Sequence, residues 1–197
     1  MEFKHPFTMI ISGPTGSGKT VFVKSMISKG KFDTEFKEII WCYSEIGSLE
    51  HNPDITYIEG LPNEDQFTGD PKLLILDDLM HEAGDKVAKL FTKISHHRNV
   101  SIIYISQNLF HQNKHARDMA LNSHYMVVFK NPRDKSQITY LARQLFPENP
   151  NYVRDAYLQA TSKPHGYLLF DLKQDTEEQF RIKSDVFEKY PSVYIQK

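Results

Sequence analysis

Residues 13–20 of the chain, GPTGSGKT, match the pattern G-x-x-x-x-G-K-[ST] at every fixed position. Glycines allow the main chain to curl with its N–H groups pointing inward, which forms a concave site for an anion. In such a loop Lys19 reaches the β and γ phosphates of a nucleotide, and the hydroxyl of Thr20 is a ligand for Mg²⁺. The alternative is a glycine-rich turn that only joins a strand to a helix. We predict a phosphate-binding loop that comprises Gly13, Pro14, Thr15, Gly16, Ser17, Gly18, Lys19 and Thr20.

Two adjacent acids, Asp77 and Asp78, come directly after the apolar run LLIL. In enzymes with a phosphate loop, an acid at this point orients Mg²⁺ or its water shell, and we predict that role for Asp77. A second acid beside it can polarise the attacking water, and we predict that role for Asp78. The alternative is an acidic turn or helix cap, because aspartate is common at both.

Two further residues have side chains suited to such a site, although each also has an ordinary explanation. Gln107 follows the apolar run VSIIYIS, and its amide at a strand tip would hydrogen-bond the γ phosphate or the attacking water. A polar strand end without function explains it equally well. Arg98 precedes that run, where a surface guanidinium would reach the γ phosphate of a neighbouring subunit. A solvated arginine is the alternative, and Arg117 and Arg133 compete for the same role.

Short apolar runs alternate with stretches of helical periodicity. The predicted strands are Pro6–Ser12, Glu38–Ser44, Ile55–Gly60, Lys72–Asp78, Val100–Asn108, Tyr125–Asn131, Gly166–Leu172 and Phe180–Phe187. The predicted helices are Lys19–Gly30, Gly84–His97, His115–Ser123, Arg133–Phe146 and Asn151–Ser162. This alternation predicts an α/β fold: a mostly parallel central sheet with helices on both faces and an antiparallel C-terminal pair. Ligands bind beyond the carboxyl ends of such strands, where Gly13, Asp77 and Gln107 are predicted to lie.

The strand predicted for Glu38–Ser44 comes between the phosphate loop and the two acids along the chain. An inserted strand distinguishes RecA-like (additional-strand) P-loop NTPases from simple nucleotide switches. We therefore expect a RecA-like core over residues 1–172, with residues 173–197 forming a C-terminal strand and tail attached to it.

Composition excludes several other classes of protein. The formal net charge is -1, so no overall basic field indicates nucleic acid, although local basic patches can still bind it. A single cysteine excludes a disulfide framework and fits a reducing, intracellular compartment. No apolar run approaches the roughly 20 residues that a membrane span needs, so we expect no membrane partner.

Four stretches resemble the genome-packaging ATPases of Polinton (Maverick) elements and adintovirus-like viruses. These belong to the FtsK–HerA group, with the poxvirus-type packaging ATPases as relatives. The similar stretches are ISGPTGSGKT, LLILDDLM, LFTKISHHRNVSIIYISQNLF and ARDMALNSHYMVVFKNPRD. The resemblance covers Phe7 to Tyr167 and is most specific from Leu90 to Asp134. No motif could be matched after about Asp171.

The resemblance implies a motor that uses ATP and Mg²⁺ to move double-stranded DNA, whatever its sequence, into a preformed capsid. It implies a homo-oligomeric ring, either a pentamer or a hexamer, with ATP held between subunits. The partners it implies are DNA, further copies of the chain, and a capsid portal or vertex. It places the protein in the host nucleus or a cytoplasmic virus factory, or with the virion.

The resemblance also implies roles for single residues. It places the metal-ligating acid at Asp77, the catalytic acid at Asp78 and the sensor glutamine at Gln107. It places an arginine finger at Arg98. Many members carry glutamate where this chain has Asp78, which leaves open whether Asp78 activates the water directly.

Two other functions are compatible with a phosphate loop. A small-molecule, nucleotide-type kinase would need an acceptor pocket and an arginine-rich lid, and no clear lid is visible in the sequence. A GTP switch would need the guanine-reading motif Asn-Lys-x-Asp. Residues 113–116, NKHA, have alanine in place of its aspartate, which disfavours the switch.

Overall fold

The computed structural model describes residues 1–44, 51–63, 67, 69–94, 99–108 and 114–196. Within them the strands are β1 Thr8–Ser12, β2 Glu38–Tyr43, β3 Thr56–Glu59, β4 Lys72–Asp77, β5 Val100–Ser106, β6 Tyr125–Phe129, β7 Tyr167–Asp171, β8 Ile182–Ser184 and β9 Ser192–Tyr194. The α-helices are α1 Lys19–Ser28, α2 Met80–Lys89, α3 Lys114–Leu121, α4 Ser136–Leu145 and α5 Pro150–Ala160.

The described strands form one nine-stranded sheet in the order β3-β2-β4-β5-β1-β6-β7-β8-β9. The pairs from β3 to β6 are parallel, and β7, β8 and β9 each pair antiparallel to the strand before. This arrangement confirms the predicted α/β class and its antiparallel C-terminal pair. The sequence did not predict β9, and it predicted a longer β8.

The strand inserted between the phosphate loop and the acids is β5, which corrects the prediction for Glu38–Ser44. In space β5 lies between β1 and β4, whereas β2 lies on the far side of β4. The prediction took the order of strands along the chain as their order in the sheet. It was wrong because β5 follows β4 in sequence but lies between β4 and β1 in the sheet. The register aligns Ser12 with Ser106 and Asp77 with Ile105. The carboxyl ends of β1, β4 and β5 therefore meet at one edge of the sheet.

Both faces of the sheet are covered, because alternate side chains of each central strand enter different cores. On one face α1 packs through Phe22, Val23 and Met26 against residues such as Ile11 and Ile75. On the other face, helices α2 to α5 cover residues such as Ile10 and Leu74, in the apolar core that contains Val87, Met119, Leu141 and Val153.

Helix ends agree with the sequence at α1 and differ at α2. Gly30, at φ 55°, turns the chain after α1, and the N–H of Lys31 donates to the carbonyl of Met26 at 3.0 Å. This is the glycine-dependent helix ending that the sequence indicates. Helix α2 begins at Met80, four residues before the predicted start, and continues as a π-helix over Leu90–Ile94. Among the described residues, no helix is both long and apolar enough to cross a membrane.

Candidate functional site

The phosphate loop leaves β1 at Gly13 and enters α1 at Lys19. Gly16 and Gly18 have φ of 77° and 108°, which L-residues with side chains rarely adopt. A Cβ at Gly13 would lie 2.6 Å from the Cβ of Phe129 on β6. Glycine is thus required at Gly13 by close packing and at the other two positions by backbone conformation.

The amino end of α1 points its unpaired N–H groups into the loop. No side chain caps this end, and its first turn carries no acidic residue. Such an end binds anions because its N–H groups and the helix dipole both favour negative charge. The buried Ser17 Oγ has no hydrogen-bond partner among the described residues. Lys19 Nζ donates to the carbonyls of Gly13 and Pro14 at 2.6 and 3.1 Å. The Lys19 side chain thus folds back over the main chain of the phosphate loop.

The two acids lie at the end of β4 in different backbone environments. Asp77 is the last residue of the strand, and the indole Nε1–H of Trp41 donates to its Oδ2 at 3.2 Å. Asp78 has a φ of 54°, and its N–H donates to the carbonyl of Ile105 at 3.1 Å. Aspartate and asparagine adopt this left-handed conformation more readily than other non-glycine residues. That preference is a physical reason for aspartate at this position.

Gln107 lies immediately after β5 and contacts one of these acids. Its Nε2–H donates to Oδ2 of Asp78 at 2.7 Å. The inserted strand thus places an amide directly on the carboxylate that the sequence predicts to activate water. The structure therefore brings the predicted sensor and the predicted catalytic acid into contact.

Burial shifts the pKa values of the charged groups at this edge. Desolvation lowers the pKa of Lys19, opposed by the negative charges of Asp77 and Asp78. Desolvation also raises the pKa of Asp77, as does Asp78, while the Trp41 hydrogen bond and Lys19 act in the opposite direction. A phosphate beside Lys19 and a cation beside Asp77 would each compensate these desolvated charges.

One cavity of about 620 Å³ is lined by residues 15–20 of the loop, the two acids and Gln107. This volume is in the range of small-molecule sites. Its other end is apolar and is lined by Val21, Phe22, Phe129, Tyr167 and Phe187. We call the part of the cavity with Lys19, Asp77, Asp78 and Gln107 the polar end. We call the part with Val21 and the four aromatic residues Phe22, Phe129, Tyr167 and Phe187 the aromatic end.

The hydrogen-bond donors and the oxygen ligands of this cavity fit a nucleotide with its magnesium ion. The glycine cradle and the uncapped helix end suit phosphate oxygens. Thr20 and Asp77 both line the cavity and carry the oxygen ligands that Mg²⁺ prefers.

The predicted arginine finger cannot be located, because Arg98 lies outside the described residues. Its two competitors are exposed: Arg117 on α3, and Arg133 on the segment after β6. Neither lines the cavity. Lys130, also exposed, follows β6 directly at the edge of the sheet that carries the phosphate loop.

Sequence reasoning missed three residues of this region: Trp41, His165 and Phe187. Trp41 is the chain's single tryptophan and is fully buried beside Asp77. His165 Nδ1 lies 3.1 Å from the carbonyl of Ser17, so this nitrogen must carry the hydrogen. Only Trp41 gave a signal, through its position on a predicted strand. The other two come close to the loop through sheet topology.

The fold and the cavity together define the P-loop NTPase fold of the additional-strand type. The chain matches no family model and no curated protein. It is similar in structure to the genome packaging NTPase B204 from Sulfolobus turreted icosahedral virus 2 in complex with sulfate. The TM-score is 0.59 at 12% identity, over 91% of this chain and 95% of that chain. The AMPPCP complex of the same NTPase gives the same TM-score and identity, over 91% and 96%.

A second protein is similar over the same extent: B204, the DNA-packaging ATPase from Sulfolobus Turreted Icosahedral Virus. Here the TM-score is 0.56 at 13% identity, over 91% of this chain and 97% of that chain. At such identities the similarity establishes a shared fold over nearly the whole of both chains.

Proposed function

We propose that this protein is an ATP-driven motor that packages viral double-stranded DNA into a capsid. The observation that carries the proposal is the Gln107–Asp78 hydrogen bond of 2.7 Å inside the cavity of the phosphate loop. A site for binding alone has no need of a carboxylate held by a strand-tip amide. The shared fold with two viral packaging NTPases supports the choice of DNA as the cargo.

Hydrolysis uses the polar end of the cavity. The loop N–H groups and Lys19 bind the β and γ phosphates. Thr20 and Asp77 would hold Mg²⁺, which when bound would neutralise charge on the phosphate oxygens. Asp78 orients the attacking water and accepts its proton, while the water oxygen bonds to the γ phosphorus and the β–γ bridging bond breaks. ADP and phosphate are the products.

Gln107 connects this chemistry to movement. Its amide donates to Asp78, and a γ phosphate or the attacking water would compete for this amide. The loss of phosphate would return the amide to Asp78. Because Gln107 directly follows β5, each change would reach the strand and the segment that precedes it.

We propose that Arg98 acts in trans within a homo-oligomeric ring. Val100 begins β5 at the edge of the sheet opposite the cavity, and β5 has seven residues, so about 20 Å separates its two ends. Arg98 is joined to Val100 through one residue. An arginine finger at this position would therefore serve the nucleotide of another subunit, and ATP binding would close that interface.

The finer assignments rest on the resemblance in sequence. They are membership of the FtsK–HerA group beside the Polinton and adintovirus-like enzymes, a ring of five or six subunits, and docking on a capsid portal or vertex. A packaging motor must accept any sequence, so we propose contacts to DNA phosphates rather than to bases. The exposed Arg117, Lys130 and Arg133 are available for such contacts.

The test is ATP hydrolysis with and without double-stranded DNA. We expect DNA of any sequence to stimulate hydrolysis, and Lys19→Ala to reduce the DNA-stimulated rate by at least about a hundredfold, because the loop loses its charge for the transferred phosphoryl group. Lys37→Ala, which changes an exposed lysine outside the cavity, is the control and should be near normal.

Three outcomes would contradict this function. A Lys19→Ala protein with the normal rate would remove the site assignment. Phosphoryl transfer to a nucleoside or nucleotide, with no response to DNA, would favour the kinase. A preference for GTP with no turnover stimulated by DNA would favour the switch.

A further inference from the structure

The aromatic end of the cavity has no role in hydrolysis, and one of its residues, Phe187, comes from the part of the chain after Asp171 that matched no motif. Phe187 follows β8, and Tyr167 belongs to β7, two of the three strands of the antiparallel extension. Both side chains line the same cavity as the phosphate loop. The C-terminal segment therefore forms a wall of the proposed nucleotide site.

The order of strands fixes the direction in which a bound nucleotide must extend. The acids and Gln107 come from β4 and β5, which lie on one side of β1, whereas Tyr167 and Phe187 come from the other side. A γ phosphate has to lie near the acids, so the nucleoside must extend away from them. From β1 to β7 is two strand spacings, about 10 Å, which leads from the loop directly to the aromatic end.

Phe187 is held in place at this end by contacts on several sides. Its ring centroid lies 4.8 Å from that of Phe22 on α1, with the two planes at 59°. Lys29 Nζ lies 5.5 Å from the Phe187 ring centroid. The backbone N–H of Val186, the preceding residue, donates to the hydroxyl of Tyr167 at 3.0 Å. Phe187 is half-buried, so part of its ring remains available to a ligand in the cavity.

Two other residues complete the walls near the start of α1. Val21 is 66% exposed, and it directly follows the predicted magnesium ligand Thr20. The imidazole of His165 donates from Nδ1 to the carbonyl of Ser17 at 3.1 Å, which leaves Nε2 available to a ligand. An exposed valine and an aromatic ring in one cavity are suited to the flat apolar faces of a heterocycle, since stacking needs no match of hydrogen bonds.

We propose that the aromatic end is the nucleobase subsite, with Phe187 as the surface against which the base of the nucleoside triphosphate stacks. This inference rests on the proposed function, because it takes the polar end to be the triphosphate subsite. It gives the C-terminal segment a direct part in ligand binding. It also makes affinity for a nucleotide separable into a phosphate part and a base part.

The experiment compares two ligands on the full-length chain. Calorimetric titration in the presence of Mg²⁺ gives the Kd of ATP and of inorganic tripolyphosphate, which has no base. We expect Phe187→Ala to weaken ATP at least about fivefold, the low end for loss of one base–aromatic stack, and to change tripolyphosphate less than about twofold. Tyr190→Ala is the matched control, because Tyr190 is 79% exposed, pairs with Lys189 at 5.4 Å and lies outside the cavity. It should change neither value.

Phe187→Leu provides a second variant if the alanine protein does not fold. Leucine keeps apolar contact with Phe22 and removes the flat ring, so the same contrast between ATP and tripolyphosphate should remain. Unchanged ATP affinity in these variants, or equal losses for the two ligands, would overturn the subsite. Lys19→Ala should weaken both ligands; if it weakens neither, the proposed function fails, whatever the result at Phe187.

Discussion

The two ends of the cavity differ in how their side chains are satisfied. At the polar end, desolvation lowers the pKa of Lys19 and raises that of Asp77, and Ser17 Oγ is buried without a described partner. At the aromatic end, Phe22 contacts Phe129, Tyr167 and Phe187 with ring centroids 6.0, 4.9 and 4.8 Å apart. The charges at the polar end are therefore only partly compensated within the chain, whereas the rings at the aromatic end pack against one another.

Within one cavity, the polar end carries the groups for chemistry, and the aromatic end contributes to the stability of the fold. Buried charges that lack full compensation cost free energy of folding, and functional sites commonly retain such groups. Packed aromatic rings lower the free energy of the folded state by burial and by favourable edge contacts. Substitutions at the polar end should mainly change turnover, and those at the aromatic end should also change stability.

The largest change in turnover is expected at Asp78. Asp78→Asn removes the proton acceptor and keeps the shape, and asparagine tolerates the φ of 54° as well as aspartate does. We expect kcat for ATP hydrolysis to fall by about 10²- to 10⁴-fold, the usual contribution of a general base. The Kd for ATP should change less than about threefold. Steady-state rates and titration of each variant measure the two quantities separately.

Gln107→Leu supplies the control for this prediction. If Gln107 acts through Asp78, the double variant should lose little more activity than Asp78→Asn alone, because the two residues share one hydrogen bond. Losses that multiply would show independent action. A large fall in Tm for Asp78→Asn, with kcat unchanged, would show that Asp78 is structural. The proposed difference in function between the two ends of the cavity would then be wrong.

The polar end was predictable from the sequence because its residues belong to short local patterns. The eight residues of the loop are contiguous, and Asp77, Asp78 and Gln107 each end an apolar run that reads as a strand. Parallel strands place such ends at one edge, so the pattern alone predicts that they meet. The α/β class followed from the same alternation.

The aromatic end was not predictable in this way. Phe22 and Phe187 are far apart in sequence, and they meet only because the extension β7–β8 continues the sheet on the far side of β1 from the acids. No local pattern encodes the order of strands. The same limitation explains why chain order indicated Glu38–Ser44 as the inserted strand when β5 occupies that place.

A medium effect is expected at Gly13, where the two ends meet through Phe129. A Cβ added at Gly13 would lie 2.6 Å from the Cβ of Phe129, an atom fixed by strand β6. Gly13→Ala must therefore displace the loop or the strand, and we expect a loss of about 1–3 kcal/mol in the free energy of unfolding, as for other overpacked sites. Urea unfolding with far-UV circular dichroism measures it.

Gly30→Ala is the matched control for this substitution. Gly30 has a φ of 55° and nothing within 4 Å of its added Cβ, so alanine there meets only backbone strain, about 1 kcal/mol. Gly13→Ala should also weaken binding of tripolyphosphate, and Gly30→Ala should not. Equal losses of stability with unchanged binding in both would show that packing at Phe129 does not connect the two ends.

The smallest expected effect is on protein stability, which the ionised Asp77 at the polar end reduces. Burial raises the pKa of Asp77 above its ordinary value of 3.8, so the folded state binds this proton more tightly than the unfolded state does. The ionised carboxylate therefore reduces stability at pH 7. That cost develops as pH rises from 3.8 through the raised pKa, and it is absent below 3.8. Asp77→Asn removes the charge and keeps an oxygen that can accept from Trp41.

We therefore expect Asp77→Asn to have a higher Tm than the unchanged protein at pH 7, in EDTA and without nucleotide. The difference should shrink steadily as the pH of the thermal scans is lowered toward 3.8. Asp54→Asn, at an exposed position outside the cavity, is the control and should leave Tm at pH 7 unchanged. A lower Tm for Asp77→Asn at pH 7 would mean that the bond from Trp41 outweighs desolvation. In that case the polar end would be stabilising without its ligand, and its difference from the aromatic end would disappear.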